Sequence, residues 1–263
     1  MSERPPEIDT TKAHSARVWN YWQGGKDNFA VDREVGDYVL QAYPEMVGAA
    51  RADRQFLIRA VTYLARERGV RQFLDIGTGL PTHNNTHEVA HSVAPGARVV
   101  YVDNDPMVLA HARALLTGGG LGEVHYVDAD LHRPGTVLSA AGEHLDFSQP
   151  IALTILGTMG HTPDHEQACA VVRAYVDALP SGSFLAMCDG TDTSEPMIEA
   201  ARRWNKTAAI PYHLRSPKEI EDFFDGLELV EPGVVSAPLW RPAETEAGEV
   251  TEVDQYCGVA RKP

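Results

Sequence analysis

Three cysteines in 263 residues are too few and too scattered to brace a fold. Cys169, Cys188 and Cys257 stand far apart in apolar runs, which excludes a disulfide framework and a thiolate metal centre. They read as buried thiols in a reducing cytosol. Cations are scarce as well: 23 Lys and Arg face 37 Asp and Glu, a formal charge of −14. Such a surface repels polyanions, so neither nucleic acid nor an anionic membrane is expected as a partner. The two basic clusters, Arg51/Arg54/Arg59 and Arg202/Arg203/Lys206, read as solvated helix faces. No apolar run reaches membrane-spanning length. The opening MSERPPEIDT lacks the apolar core of a signal peptide, so a cytoplasmic location is expected. Internal repeats, a Walker loop and a G-x-S-x-G elbow are all missing, which sets aside solenoids, P-loop phosphate binding and α/β-hydrolase chemistry.

What is present is an alternation of short apolar runs and amphipathic stretches. Residues 73–76, 99–102, 124–127, 151–156 and 183–188 have the length and character of buried parallel strands. Helices are expected over 12–23, 31–43 and 46–68 before the first strand. Further helices follow near 83–93, after Asp105-Pro106 until Gly118, after Thr162-Pro163, and through Ala200 and Trp204. Ser216-Pro217-Lys218-Glu219 is a capping box that opens a short helix. Strands at 227–230 and 255–260 close the chain, joined by a Pro- and Glu-rich surface connection. The plan is one α/β domain, a doubly wound sheet with helices on both faces. Residues 1–11 form a loose tail, residues 1–68 form a helical cap and residues 69–263 the core.

The densest information lies in Phe73-Leu74-Asp75-Ile76-Gly77-Thr78-Gly79-Leu80-Pro81 and Val99-Val100-Tyr101-Val102-Asp103. Two neighbouring strands each end in a carboxylate, and the first turns through two glycines that let backbone approach a ligand. Asp103 falls where open α/β sheets grip the ribose of a nucleoside cofactor. A dinucleotide fingerprint needs a third glycine, but that position is Thr82, and Pro81 removes an amide that would cradle a pyrophosphate. Asp75 repels a pyrophosphate and attracts an ammonium. The charge logic selects S-adenosylmethionine, with Asp75, Gly77, Thr78, Gly79 and Pro81 around its methionyl end. Asp103 then takes the ribose and Asn104 lies at the adenine. The bland alternative is a strand-to-turn junction, with Asp103 as a helix cap, although Asp105 fills that role better.

Three runs sharpen the assignment: SARVWNYWQGGKDNF at 15–29, FLDIGTGLPTHNNTHEVA through VVYVDNDPMVLAHARALL, and FFDGLELVEPGVV. Together they resemble the S-adenosyl methyltransferase family, once catalogued as a domain of unknown function. The resemblance spans nearly the whole chain, and GGKDNF is its most specific part. It implies a class I methyltransferase fold, Rossmann-like with seven strands and extra amino-terminal helices, and S-adenosylmethionine binding with S-adenosylhomocysteine as product. It supplies no acceptor. In the related fold an acidic residue closing the third strand meets the adenine while the next residue packs on the ring. Asp130 and Leu131 suit those parts, with Asp128 as the alternative. One departure stands out: Leu156-Gly157-Thr158-Met159-Gly160-His161 replaces an aliphatic strand end and a leucine-histidine pair. Gly157 lets backbone approach the cofactor or widens the acceptor pocket.

Arg17 and Tyr21 share a helix face. With the Gly24-Gly25 turn and Asn28 they make a lid over the cofactor, Arg17 taking its carboxylate; a plain ion pair is the competing reading for Arg17. His161 is the candidate general base, against a neutral histidine that orders its loop. His83 and His87 lack a third metal ligand and read as helix-surface residues, so no metal is expected. Without Asn-Pro-Pro-aromatic after the fourth strand, or a Pro-Cys pair, amino-methylation of adenine or glutamine and attack on a pyrimidine are disfavoured. The chain reads as a methyltransferase for a small molecule held between the amino-terminal helices and the ends of the fourth and fifth strands. Its rival is a non-catalytic cofactor-binding sensor, with a dehydrogenase a distant third. Nothing in the sequence sets an oligomeric state.

Overall fold

The computed structural model describes residues 8–117, 124–242 and 251–263. The elements are, in order, α1 (Ser15–Trp22), α2 (Ala30–Leu40), α3 (Met46–Arg66), β1 (Gln72–Ile76), α4 (Thr86–Val93), β2 (Arg98–Asp103), α5 (Pro106–Thr117), β3 (Val124–Asp128), α6 (Pro134–Ala141), β4 (Ala152–Leu156), α7 (His165–Ala178), β5 (Phe184–Gly190), α8 (Glu195–Thr207), α9 (Pro217–Asp222), β6 (Glu228–Leu229), β7 (Val235–Ser236) and β8 (Gln255–Arg261). The sheet runs β3-β2-β1-β4-β5-β8-β6, and β7 also pairs with β8. β3 to β5 are mutually parallel, and β8 runs antiparallel to β5, β6 and β7. The chain builds outward from β1 to β3, then returns to place β4 on the other side of β1. That reversal opens a crevice at the carboxyl ends of β1 and β4, where sheets of this kind take ligands.

Both faces of the sheet are apolar because alternate side chains meet different helices. Phe73, Val99, Tyr101, Ala186 and Val259 pack with Phe56, Leu57, Val61 and Leu64 of α3 and Val89 of α4. Leu74, Ile76, Val100, Leu153 and Met187 pack with Val137 of α6, Val172 and Tyr175 of α7, and Ile220 of α9. A third cluster contains no strand at all: Trp22, Val35, Val39, Met46, Met197, Ala200 and Trp204 bind α1, α2 and α8 to the first turns of α3. α3 therefore divides its duty between the cap and the sheet.

Several local expectations are met. Asp105 caps α5, accepting from Met107 N–H at 2.7 Å, and Ser216 and Glu219 form their reciprocal box. Cys188 and Cys257 are buried free thiols, and Cys169 is half-buried. No described helix is long and apolar enough to cross a membrane. Others are corrected. α7 begins at His165, because Asp164 accepts from Gln167 N–H at 2.7 Å and outcompetes Thr162-Pro163 as the cap. α6 and the two-residue β7 were not expected. Asp9 in the stretch read as loose tail, and Lys12, read as the start of a helix that begins instead at Ser15, are tied down by Arg17, which donates to both carbonyls. His87 is buried rather than on a helix surface, with its Nδ1 2.8 Å from the Tyr101 hydroxyl. Gly118, expected to end α5, lies outside the described residues.

Candidate functional site

Above the carboxyl ends of β1, β2 and β4 lies a cavity of about 430 Å³, walled by α1, the start of α3 and α8. Its floor is the turn after β1. Gly77 and Gly79 both hold positive φ, 71° and 65°, but for different reasons. A Cβ on Gly77 would come within 2.3 Å of Thr158 Oγ1, so that glycine makes room for a protein side chain. A Cβ on Gly79 would meet nothing within 4 Å, and the same holds for Gly157 at φ 63°; both border the open cavity.

The carboxylates at the strand ends are fixed. Asp103 accepts from Gly79 N–H at 2.9 Å through Oδ2 and from Asp105 N–H at 2.8 Å through Oδ1. Burial pushes its pKa above the usual carboxylate value, against those two bonds. Asp75 is buried, receives the Thr86 hydroxyl at 2.6 Å, and is likewise raised by burial. Both line the cavity, as do Thr78, Asn104, Asp130, Leu131 and Gly157. Asp130 accepts from His132 N–H at 2.9 Å, with the imidazole Nδ1 at 2.8 Å. Partial burial raises its pKa, but the two His132 contacts outweigh that and lower it. Asp128 is exposed and outside the cavity.

The GGKDNF region is arranged differently from the expected lid. Arg17 is buried and spends its guanidinium on Asp32, at 3.0 and 3.1 Å, and on the two tail carbonyls. Tyr21 donates to Asp37 at 2.7 Å. Neither side chain lines the cavity, nor do Gly24, Gly25, Asn28 or the half-buried Pro81. The run instead positions Asn20, which does. Asn20 Oδ1 accepts from Asp27 N–H at 3.1 Å and from Asn28 Nδ2 at 3.0 Å. Gly25 is a glycine because a Cβ there would sit 2.3 Å from the Asn20 amide. His14, Ser15 and Trp19 of the same region also face the cavity.

At the opposite wall, His161 is half-buried with Nδ1 2.9 Å from the Pro211 carbonyl. A carbonyl only accepts, so that geometry assigns the proton to Nδ1 and leaves Nε2 unprotonated. Burial lowers the His161 pKa and keeps the ring neutral. Gly160 has a packing reason: a Cβ would sit 2.3 Å from the Tyr212 ring. Tyr212 donates to the buried Asp189, which also accepts from Gly160 N–H at 3.1 Å.

Two site residues are absent from the sequence-based reading. Asp53 and Arg54, on α3, line the cavity. Arg54 is half-buried and not the solvated cation its cluster suggested, and Arg59 is engaged too, donating to the Trp240 and Ala237 carbonyls at 2.8 and 2.7 Å. Burial raises the Asp53 pKa to about 6. The available signal was the spacing: Asp53 occupies the stripe formed by Ala49, Ala50, Phe56, Leu57 and Ala60, where an apolar residue is due. Three buried polar atoms at the cavity have no hydrogen-bond partner among the described residues: Asp53 Oδ1, Arg54 Nε and Thr78 Oγ1. Natural cores rarely leave such groups unpaired, so these atoms fit a polar ligand. The Arg54 guanidinium and the Thr78 hydroxyl beside Asp75 suit a zwitterionic amino-acid end, and Asp103 suits a ribose. Among the described residues no cluster of three or more His, Cys, Asp or Glu is placed to hold a metal ion.

Comparison with known proteins gives the family and the fold. The family model described as S-adenosyl methyltransferase matches residues 1–263. A DUF574-family protein of Streptomyces avermitilis is 43% identical, with TM-score 0.92 over 98% of this chain and 100% of its own. A methyltransferase candidate from Thermobifida fusca is 40% identical, with TM-score 0.91 over 100% of this chain and 99% of its own. The N-methyltransferase NodS of Bradyrhizobium japonicum, solved with S-adenosyl-L-homocysteine, shares the fold at TM-score 0.53 and 14% identity, over 94% of this chain and 99% of its own. No curated protein matches.

Proposed function

The chain belongs to the S-adenosyl methyltransferase family, whose methyl donor is S-adenosylmethionine, and from that premise we propose that it transfers a methyl group to a small molecule in this cavity. In this reading Asp103 takes the ribose hydroxyls and Asn104, Asp130 and Leu131 flank the adenine. Asp75 and Thr78 face the amino group and Arg54 takes the carboxylate. Gly79 and Gly157 leave the backbone open beside them. The observation that carries the reading is the convergence of the orphaned Arg54 Nε and Thr78 Oγ1 with Asp75 on one cavity beside Asp103.

When bound, the cofactor supplies an electrophilic methyl on a sulfonium, a leaving group that needs no proton. The chain's work is then mostly alignment of an acceptor within the cavity. Residues 1–68 contribute the cap: Asn20, Trp19 and Trp22 of α1, with Met46 of α3, bound the cavity opposite α8. His161, neutral and unprotonated at Nε2, is the group able to take a proton from an acceptor hydroxyl or amine. A protein that only sensed the cofactor would have no use for the chamber walled by α1 and α8. That chamber favours the enzyme.

Calorimetric titration with S-adenosyl-L-homocysteine tests the cofactor assignment. Saturable 1:1 binding is expected, with none for NAD; NAD binding with no heat for S-adenosyl-L-homocysteine overturns it. Screening metabolites for uptake of a labelled methyl group tests the transfer, which a screen confined to macromolecular acceptors as positives would refute as regards a small molecule.

A further inference from the structure

The assigned cofactor contacts leave one carboxylate in the cavity without work. Asp53 is 6% exposed, and its Oδ1 has no hydrogen-bond partner among the described residues. The groups around it are the Cys188 thiol on β5, which hydrogen-bonds the carboxylate, Arg54 on the same helix, Asp189 on β5 and Asp75 on β1. Four carboxylates line the cavity, Asp53, Asp75, Asp103 and Asp130, against the single guanidinium of Arg54. The carboxylates exceed the fixed cation, and Asp53 is the one that the cofactor reading leaves unassigned, beside Arg54 and Asp75.

Beside the polar Asn20, Gln23, His161 and Gln255, much of the remaining cavity lining is aromatic and apolar. Trp19, Trp22, Met197, Trp204 and Tyr212 border the same space, and Ile210, 43% exposed, also lines it. Ile210 is one of only two large apolar side chains exposed among the described residues, so its presence at a cavity is informative. A buried carboxylate with one oxygen unpaired is costly, and a ligand cation relieves that cost while aromatic faces attract it further.

Resting on the cofactor reading above, we propose that the methyl acceptor is an organic amine that enters as its cation, its ammonium on Asp53 and its apolar body among Trp19, Trp204 and Tyr212. Asp53 takes one ammonium proton, and the freed nitrogen lone pair forms the N–C bond as the methyl's bond to sulfur breaks, leaving a methylammonium and a neutral thioether. An alcohol or a carboxylic acid of the same shape leaves Asp53 unpaired or adds a fifth negative charge, so the site discriminates against both. Burial raises the Asp53 pKa to about 6, which still leaves the group ionised at neutral pH and able to hold a cation.

The test uses the full chain saturated with S-adenosyl-L-homocysteine, read by tryptophan fluorescence and calorimetry. Two matched sets serve as probes: phenethylamine, 2-phenylethanol and 3-phenylpropionate, then tryptamine, tryptophol and indole-3-propionate. At least one amine is expected to bind about tenfold or more tighter than its alcohol and acid, the discrimination of a buried charge that gains a partner. Asp53→Asn should abolish that preference while the S-adenosyl-L-homocysteine affinity stays within roughly threefold, a change of at most about 0.7 kcal/mol. Equal binding across a set, tighter binding of the acids, or silence of both amines up to roughly 10 mM overturns the proposal. So does an Asp53→Asn variant that loses S-adenosyl-L-homocysteine as strongly as amine, which would move Asp53 into the cofactor subsite. If that variant does not fold, the wild-type selectivity alone decides. Failure of the amines on cofactor-saturated protein sinks only this inference; failure of S-adenosyl-L-homocysteine to bind sinks the reading beneath it.

Discussion

Replacing Arg17 by methionine distinguishes a structural ion pair from a cofactor clamp. Methionine keeps much of the side-chain volume but removes the charge and every donor. Asp32, 0% exposed, then holds a carboxylate whose partner at 3.0 Å is gone. Breaking a buried pair from one side costs about 3–5 kcal/mol. Asp32 retains the His14 and Phe29 N–H groups at 3.0 and 2.8 Å, which favours the lower half of that range. For a chain of 263 residues, 1 kcal/mol corresponds to about 2 °C in Tm, so a fall of about 6–8 °C is expected. Adding Asp32→Asn should restore part of the loss, because the stranded charge goes with it. Thermal melts of the two variants measure this, and titration with S-adenosyl-L-homocysteine well below both midpoints measures the other half: affinity within roughly threefold of wild type. An R17M protein that melts normally yet loses more than about tenfold in affinity would show that Arg17 reaches the cofactor and that the ion pair is incidental.

Asp103→Asn should weaken S-adenosyl-L-homocysteine binding by roughly 10- to 100-fold, since charge-assisted bonds to the ribose are worth about 1.5–3 kcal/mol; unchanged affinity would remove Asp103 from the site. Gly160→Ala should destabilise the fold by about 1–3 kcal/mol through the clash with Tyr212. In a Tyr212→Leu background the same change should cost under about 0.5 kcal/mol, and denaturant melts of the four proteins decide. Asp53 makes a pH prediction. Its folded pKa is raised, so the folded state binds the extra proton and stability falls as pH climbs from the unfolded value of 3.8 to about 6, then levels. The drop is on the order of 2–3 kcal/mol, and Asp53→Asn should flatten that part of the stability profile even though Arg54, Asp75, Cys188 and Asp189 stay in place.

What was legible in the sequence was local. The two-glycine turn, the paired strand-end carboxylates and the Ser216 box are encoded within a few residues of each other, and each formed as its residues require. α6 has no counterpart in the sequence analysis, although Pro134 at its first helical position is a favourable start signal. Arg17 and the GGKDNF run were recognisably special, but their target was not. Whether an arginine meets a ligand or an aspartate 15 residues away depends on how α1 and α2 fold on each other. Asp53 and Arg54 escaped for the opposite reason. A helix stripe assigns charges to water, and only the finished packing shows that the first half of α3 passes above a hollow instead of above the sheet.

The third hydrophobic cluster, made without any strand, separates two kinds of change in this protein. Residues such as Trp22, Met197 and Trp204 can be exchanged for others of similar bulk without touching a single rung of the β-ladder. The grip on the nucleoside that we propose for Asp103 would, by contrast, be anchored in that ladder. Selection can therefore re-tailor what is admitted beside the donor while the donor's own berth stays constant, and relatives sharing this architecture are free to differ in the compound they modify.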